Sequence, residues 1–585
     1  MSDSTHASGA DLTLDGTTDW ALSGAAGYAA ITRNASDIGN LNLNGNSVLS
    51  TRRITRGSGA VGRLNFDGGT LRATADETNF MAGIDSVRIY PNGARIDSNG
   101  HAITINQDLS QATGNVVTSI PVTNPGSGYI GAPIVSISAG GGTGATAVAN
   151  YDPATGTVTG VTITSPGSGF TSAPSVAMTG GGGTGATLGP AVTSAAAAPG
   201  DFTKIGAGML TLGGNSPDFT GNTVVQAGTL SITGSLPVSP IIVKDAAAFQ
   251  PGPYQMLQSI SLENGARLNL PLSMDNDYMT VVEGIQVTGG TAKIIPTSTE
   301  APVPGQYILA QSAVSGPGTL QVDFGTTTGG AARVASTFSN DAGTLLLNIA
   351  SVGSDVTWTN ASGNGAWNTN NSVNFLNGAA NDKFLGYDRV TFGPSSPGGN
   401  IDITGQVAPA SIIVNSPANF VFQGTGSIIG QSTLTKQGSG TLTISNANTF
   451  SGAINVTAGR LNLNGSVGNG ELYVDAGATI GGAGVSGGIA SVAGTIAPGN
   501  PVGTLTLGDT LLSGTYQCEI DGALSDKLVA NGNLDITGAS LVLTERSAPS
   551  ASSYVIASCT GIVTGTFMEV PAGYVLDYSD PRKVI

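Results

Sequence analysis

The sequence predicts an all-β protein built as a solenoid, in which short parallel strands stack in successive coils. Three observations lead to this prediction. Apolar and polar residues alternate in short runs, which is the pattern of a strand with one buried face. Gly (88 of 585 residues), Asn and Ser separate the runs and supply the backbone freedom of tight turns. Apolar positions also recur at a nearly fixed step, as the turns of a coil require.

Composition limits the class of function. A chain of 585 residues is too long for one ordinary globular core but natural for a solenoid. Charged residues make up only 10%, yet hydrophobic residues reach 39% and are periodic, so we exclude disorder. The net charge of −16 argues against nucleic acid and anionic membranes as partners. No apolar run is long enough for a membrane helix, so we expect no membrane insertion by this chain.

Residues 1–115 are predicted to form the first coils. Leu41, Leu64 and Val87 each begin or belong to a short alternating run, and they are equally spaced (64−41 = 23; 87−64 = 23). Turn residues such as FDGGT and YPNGA follow these runs.

Residues 116–197 differ from the flanking sequence in composition and in repeat length, and they are predicted to be an insertion. The segment PGSGYIGAP from Pro125 recurs as PGSGFTSAP from Pro166 (166−125 = 41), and each copy leads into a glycine run. Because proline does not belong in a central strand, we expect edge strands or turns here. We interpret the segment as a small Gly/Pro-rich tandem β insertion; a Gly-rich hinge is the alternative.

The solenoid is predicted to restart in residues 198–350 and to continue through residues 351–433 into a second unit, residues 434–585. Residues 351–433 hold two of the three tryptophans, Trp358 and Trp367, and we take them as the opening of that second unit. A constant step predicts which residues stack in each unit: Leu210, Leu230, Phe249, Leu268 and Val287 in the first, and Leu442, Leu461 and Ile480 in the second.

Two stretches match each other closely. Lys204, Gly206, Gly208 and Leu210 correspond to Lys436, Gly438, Gly440 and Leu442 (436−204 = 232), and Phe219 with Leu230 corresponds to Phe450 with Leu461 (450−219 = 231). The shared pattern, TKxGxGxLT, then FxG, then VxxGxL, resembles the autotransporter-associated β-strand repeat of bacterial surface and secreted proteins. The resemblance implies a right-handed parallel β-helix exported from a Gram-negative-type cell.

The resemblance also implies an extracellular or outer cell-surface location. The start, MSDSTHASGADLT, has no positive region and no apolar core, so no signal peptide is visible. The end, DYSDPRKVI, has no closing cap. We interpret the polypeptide as a fragment of a longer surface protein.

Charged side chains of the first coils are the candidates for a site. Asp85, Arg88, Arg95 and Asp97 lie on consecutive predicted strands, where outward positions would bring them together as in polysaccharide lyases. The alternative is a solvated face with compensating charges. The basic stretch Arg52, Arg53, Arg56 and Arg63 would bind an acidic glycan or a neighbouring subunit, or else form a charged edge that discourages aggregation.

Metal, cofactor and disulfide chemistry have little support. His6 and His101 are the only histidines, so a zinc cluster is nearly excluded, and the glycine runs lack the lysine of a phosphate-binding loop. Asp521 and Asp526 are candidates for Ca²⁺ or are ordinary turn residues. Cys518 and Cys559, 41 residues apart, either form a disulfide or remain buried free thiols.

We therefore predict a structural and adhesive β-helical rod at the cell surface, without enzymatic activity or cofactor. Its expected partners are copies of itself, in a filament or matrix, or surface glycans. The alternative is a glycan-binding or polysaccharide-degrading β-helix.

Overall fold

A computed structural model describes residues 11–22, 28–32, 35–274, 278–298 and 301–585. The chain divides into two compact units. Unit 1 comprises the described residues up to 295 with 307–322 and 338–347, and unit 2 comprises 296–306, 323–337 and 348–585. Each unit is a parallel β-solenoid, and the described residues make about 22 turns. The predicted fold class is confirmed.

Three parallel sheets form the walls of unit 1. Sheet 1A has the strands Asp11–Leu14, Ile38–Asn44, Val61–Asp67, Ser86–Ile89 and Leu109–Gln111. Sheet 1B has Asp19–Ala21, Val48–Thr51, Thr70–Ala73, Ala94–Asp97, Phe202–Ile205, Thr223–Val225, Ile241–Val243, Ile260–Leu262, Ile285–Val287 and Val314–Ser315. Sheet 1C has Tyr28–Thr32, Arg53–Gly57, Glu77–Ala82, Ile103–Asn106, Met209–Leu212, Thr229–Ile232, Ala248–Pro251, Arg267–Leu270, Thr291–Pro296 and Thr319–Val322.

The predicted stacking in the first coils is confirmed. Leu41 pairs with Leu64, Leu64 with Val87, and Val87 with Leu109, one residue per coil. All four side chains are buried, because alternation places every second residue of each strand inside the solenoid.

The next column is confirmed except for its last member. Leu210, Leu230, Phe249 and Leu268 pair in succession in sheet 1C. Val287, however, lies in sheet 1B opposite Leu262. The coil after Leu268 is longer, because eight residues (271–278) connect Arg267–Leu270 to Met279–Val281 where three (252–254) connect the equivalent strands of the coil before it, so that a constant step of 19 residues no longer reaches the same sheet.

The predicted insertion interrupts unit 1 between its coils. Strand Ala94–Asp97 pairs with Phe202–Ile205, so the solenoid continues as if the intervening residues were absent. The inserted strands pair antiparallel: Asn115–Ser119 with Val192–Ala195, Val122–Ser127 with Thr184–Leu188, and a four-stranded sheet of Thr157–Ser168, Thr143–Asp152, Ile134–Ser138 and Ser175–Thr179. Pro125 and Pro166 lie in edge strands, as expected.

The two 41-residue repeats of the insertion each hold the other's aromatic ring. Tyr129 and Phe170 occupy equivalent positions (170−129 = 41), and both are buried. A Cβ atom on Gly183 would lie 2.5 Å from the Tyr129 ring, and a Cβ on Gly142 would lie 2.5 Å from the Phe170 ring. The glycine runs are therefore required because an aromatic ring packs flat on the backbone there.

Polar contacts attach the insertion to the outer face of sheet 1A. Asn42 Nδ2 donates to Thr146 Oγ1 (3.1 Å), Asn44 Nδ2 donates to the Thr164 carbonyl (2.9 Å), and the Tyr90 hydroxyl donates to the Gly167 carbonyl (3.1 Å). The insertion thus covers part of sheet 1A.

Unit 2 has two long sheets and two shorter ones. Sheet 2A has, in spatial order, Ala380–Asp382, Phe375–Asn377, Asp355–Trp358, Arg389–Phe392, Ser411–Asn415, Thr433–Gln437, Ile454–Val456, Leu472–Val474, Ala490–Val492, Thr510–Leu512, Leu534–Asp535 and Val563–Thr564. Sheet 2B has Ala366–Trp367, Gly399–Ile403, Phe420–Gln423, Thr441–Ile444, Arg460–Leu463, Thr479–Gly482, Thr495–Pro498, Thr515–Asp521, Leu524–Ser525 and Ser540–Ser547. The shorter sheets are Gln406–Val407 with Ser427–Ile428, and sheet 2C: Ser466–Val467, Val485–Ser486, Thr504–Leu507, Lys527–Ala530, Ala557–Cys559 and Lys583–Val584.

Five further strands form one sheet, and one helix is present in the described part of the chain. The strands, in spatial order, are Gln255–Leu257, Met279–Val281, Gly305–Gln311, Thr344–Val352 and Val334–Asp341. The helix is the single turn Gly325–Thr328. No helix among the described residues is long and apolar enough to cross a membrane.

A cluster of aromatic rings opens unit 2. Trp358 and Trp367 are buried and pack edge-on against Phe375, and Trp367 also packs against Phe422. Phe375 belongs to an antiparallel hairpin that follows Asp355–Trp358 in the sequence but lies at the edge of sheet 2A, next to this strand. The core then continues through the coils, with Leu442 paired to Leu461 and Leu461 to Ile480 as predicted.

Replacing Leu442 by Ala tests this core. Leu442 is fully buried between Phe420 and Leu461, so Leu442→Ala should lower the free energy of unfolding by about 2–5 kcal/mol. Thr443→Ala, one residue along and on the outer face, is the control and should change it by less than about 0.5 kcal/mol. Guanidinium unfolding followed by circular dichroism measures both; equal effects would contradict the assignment of inner and outer faces.

Candidate functional site

The lysines of the two matching stretches lie inside the solenoid. In Phe202–Ile205 the first and third residues point inward, which places Lys204 in the core with no exposed surface. Lys436 occupies the same position in Thr433–Gln437 and is equally buried.

Backbone carbonyls surround each buried ammonium group. Lys204 Nζ donates to the carbonyl oxygens of Ile205 (2.9 Å), Gly206 (2.7 Å) and Ala227 (3.0 Å), and it also contacts Ser98 Oγ (2.8 Å). Lys436 Nζ donates to three carbonyls in the equivalent positions: Gln437 (3.0 Å), Gly438 (2.8 Å) and Ala458 (3.1 Å). In each repeat one lysine therefore satisfies acceptors from two successive coils at a corner.

The glycine of VxxGxL makes room for the lysine. A Cβ on Gly228 would lie 2.9 Å from Lys204 Nζ, and a Cβ on Gly459 would lie 2.7 Å from Lys436 Nζ. The lysine and this glycine therefore depend on each other in both repeats. They are 24 residues apart in the first repeat and 23 in the second (228−204 = 24; 459−436 = 23). Burial lowers the pKa of both lysines to about 8, and for Lys204 the nearby Asp97 partly opposes this shift.

Three of the predicted basic residues have partners on the surface of unit 1. Arg52 Nε lies 3.2 Å from Glu77 Oε2, and Arg56 Nη1 lies 3.1 Å from Asp85 Oδ1. The Arg53 guanidinium lies 5.7 Å from the centre of the Tyr28 ring, a cation–π contact.

Arg63, the fourth of this group, lies on the outer face of sheet 1A. It is half-buried and lies beside Arg88 of the next strand. A Cβ on Gly144 of the insertion would lie 3.0 Å from Arg88 Nη1 and 3.4 Å from Arg63 Cδ. Burial lowers the pKa of Arg63, and the positive charge of Arg88 adds to this effect. These two arginines thus lie where the insertion meets the solenoid.

The structure does not bring Asp85, Arg88, Arg95 and Asp97 together as one group. Asp85 and Arg88 are at sheet 1A, whereas Arg95 and Asp97 are in sheet 1B. Asp97 Oδ2 pairs with Arg72 Nε at 2.8 Å, and Arg95 donates to the Gly68 carbonyl. The expectation of one converging cluster was wrong, because a corner of the coil separates the two strands.

The described residues contain no group of three or more His, Cys, Asp or Glu side chains placed to hold a metal ion. Asp526 instead accepts hydrogen bonds from the backbone amides of Gly503 and Glu519, both at 2.9 Å, and burial raises its pKa to about 6. Asp521 accepts from the Ser547 hydroxyl.

Cys518 and Cys559 are free and buried, so the alternative of a disulfide is not realised. Cys518 lies in sheet 2B and Cys559 in sheet 2C. Burial, with a smaller contribution from Asp526, raises the pKa of the Cys518 thiol to about 12, so this thiol is unreactive at neutral pH.

A family model described as the passenger-associated transport repeat matches residues 202–232 and 434–463. These are the two stretches whose lysines are buried. This chain carries the passenger-associated transport repeat twice. The resemblance seen in the sequence is confirmed for these two stretches, and it supports an autotransporter-type passenger β-helix.

The chain is also similar to a protein named extracellular serine protease, from Serratia marcescens. The two are 32% identical over 165 residues, which is 26% of this chain and 16% of that protein. The match therefore spans a minor part of the relative, and the activity in its name belongs to that protein.

Replacing Lys436 by Met tests the role of the lysine in the transport repeat. Met keeps most of the apolar volume but leaves three carbonyls unpaired, so Lys436→Met should lower the free energy of unfolding of the whole chain by about 3 kcal/mol. Lys583→Met, whose side chain is 46% exposed, is the control and should have little effect. A Lys436→Met protein as stable as the wild type would contradict this role.

The lowered pKa predicts a pH dependence. Between pH 8 and about 10.5 the unfolded chain holds a proton on Lys436 that the folded chain has lost. The free-energy cost of burying the charged lysine therefore destabilises the folded chain fully below pH 8, and it decreases at higher pH as the buried lysine loses its proton. The stability of the wild type relative to Lys436→Met should increase from pH 8 to pH 10. A difference that stays constant or falls over this range would contradict the shift.

Proposed function

We propose that this passenger-type solenoid is the structural and adhesive part of a secreted or cell-surface protein, and that it adheres to glycans. The passenger-associated transport repeats and the extracellular relative support the location. The adhesive role rests on one observation, a continuous outward column of side chains on sheet 2A.

This column, the 2A column, follows from the parallel pairing. The central outward residue of each strand pairs with the same position of the next strand, so that successive side chains are about 4.8 Å apart. Its ten members are Thr357, Thr391, Ile413, Thr435, Asn455, Tyr473, Ser491, Leu511, Asp535 and Thr564.

The side chains of the 2A column suit the binding of sugars. Tyr473 and Leu511 are 41% and 45% exposed and offer apolar surface, and the Tyr473 hydroxyl donates to the Glu471 carboxylate, which orients its ring. The Thr, Asn and Ser members offer donors and acceptors for hydroxyl groups on either side. An aromatic ring among short polar side chains on a rigid sheet is a suitable surface for a carbohydrate chain.

A polysaccharide-degrading role has less support. It requires carboxylates that converge on one bond, and the residues predicted for such a group are divided between sheets 1A and 1B. We therefore propose binding without cleavage.

Tyr473→Ala tests the adhesive role. Binding of the whole chain to immobilised polysaccharides, measured by biolayer interferometry, should weaken about tenfold, which is about 1.4 kcal/mol. Tyr473→Phe keeps the ring and should retain most of the affinity. Tyr254→Ala, which removes a 76% exposed ring elsewhere, is the matched control and should bind as the wild type does.

Two results would overturn the proposal. One is a wild-type protein that binds no polysaccharide in a panel of neutral and acidic glycans. The other is release of new reducing ends from a bound polysaccharide, which would indicate an enzyme.

A further inference from the structure

The arginines of the first coils differ in whether they have partners. Arg52, Arg56 and Arg72 each pair with a carboxylate at 2.8–3.2 Å. Within the described residues, Arg63 and Arg88 have no hydrogen bond and no ion pair, although they lie on adjacent strands. Two neighbouring guanidinium groups without partners are unusual in a chain of net charge −16.

The carboxylates of Asp85 and Asp11 act on Arg63 through space and are not in contact with it. Asp85 is already used by Arg56 and by the backbone amide of Gly62 (2.7 Å). Asp11 acts on Arg63 only through space, and its carboxylate accepts from Asn40. Arg88 Nη1 is buried without an acceptor, which is costly for a charged donor.

Two side-chain amide oxygens without a hydrogen-bond donor lie beside the two guanidinium groups. The Oδ1 atoms of Asn40 and Asn65 are buried and have no partner in the described part of the chain, and the two residues are 7% and 1% exposed. Asn40 pairs with Arg63 across the strands, and Asn65 pairs with Arg88. On the outer face of sheet 1A, two guanidinium groups thus lie at positions next to two buried amide oxygens.

The insertion forms the opposite wall. Gly144, at φ +80°, brings its backbone against both arginines. The contacts of Asn42, Asn44 and Tyr90 described above fix the insertion at this height on the sheet. Arg63 and Arg88 nevertheless remain partly exposed at the edge of the junction.

We propose that Arg63 and Arg88 bind an anionic sugar residue of a glycan, one that carries a carboxylate or a sulfate group. A guanidinium group binds such oxoanions through paired, charge-assisted hydrogen bonds. The exposed parts of the two guanidinium groups are the contacts for the ligand, and the buried amide oxygens of Asn40 and Asn65 lie next to these arginines on the paired strands. This inference rests on the proposed adhesion to glycans and names a separate subsite for acidic sugars in unit 1.

The test is binding of the whole chain to short oligosaccharides by isothermal titration calorimetry. The probes are an oligogalacturonate, a sulfated oligosaccharide, a neutral galactan oligosaccharide of equal length, and inorganic sulfate and phosphate alone. The variants are Arg63→Gln and Arg88→Gln. Arg72→Gln is the matched control, since it removes the same charge from a paired arginine in sheet 1B. Circular dichroism confirms that each variant is folded.

We expect Arg63→Gln and Arg88→Gln each to weaken binding of an acidic oligosaccharide at least tenfold, and Arg72→Gln to change it less than twofold. Affinity should fall as salt is raised, because the contact is ionic. Gly144→Ala should also weaken binding, since it is strained at this φ and its Cβ would approach Arg88.

Failure of the site and failure of the adhesive role give different results. Wild-type protein that binds neutral and acidic oligosaccharides, but with no loss in Arg63→Gln and Arg88→Gln, would overturn the site and leave adhesion standing. Inorganic sulfate or phosphate bound as tightly as the oligosaccharides would also overturn it, because the site would then accept a free anion. Wild-type protein that binds none of these oligosaccharides and none of the polysaccharides would overturn both.

Discussion

Parallel backbone pairing ties each residue of a coil to one partner in the coil before it and one in the coil after it. Leu210, Leu230 and Phe249 pair in succession in this way. An inward residue therefore always stacks on an inward residue, and a change of length in one coil must be absorbed in its corners. The longer connection before Met279–Val281 and the antiparallel insertion both obey this rule, since the coils on either side of each remain paired.

The same constraint explains the transport repeat. At a corner the backbone turns away from its sheets, and carbonyl groups lose their partners where no water reaches them. Lys204 and Lys436 supply three donors at this point and connect their own coil to the next. The glycine opposite each lysine leaves the space for it. The motif is thus a polar connection inside an apolar core, which explains why lysine and glycine occur together in it.

The sequence was sufficient for the fold class and for most of the stacking, because alternation and a nearly constant step are direct consequences of a pleated strand in a coil. It was insufficient at Val287, where a longer coil broke the step. The inward direction of Lys204 could have been inferred from its spacing to Phe202, but a charged residue is ordinarily placed outside. The meeting of Arg63 and Arg88 under the insertion could not be inferred, because nothing in a strand pattern says which face of a solenoid an inserted module covers.

On this account the outer faces inherit their order from the core, and the 2A column is a consequence of the register inside unit 2. Spin labels at outward positions measure that register directly. With Cys518 and Cys559 replaced by alanine, label pairs from position 391 to positions 473, 491 and 535 are separated by four, five and seven coils. Double electron–electron resonance should give distances that grow linearly by about 4.8 Å per coil, near 19, 24 and 34 Å. Distances that do not increase in proportion to the number of coils would contradict the stacked parallel register.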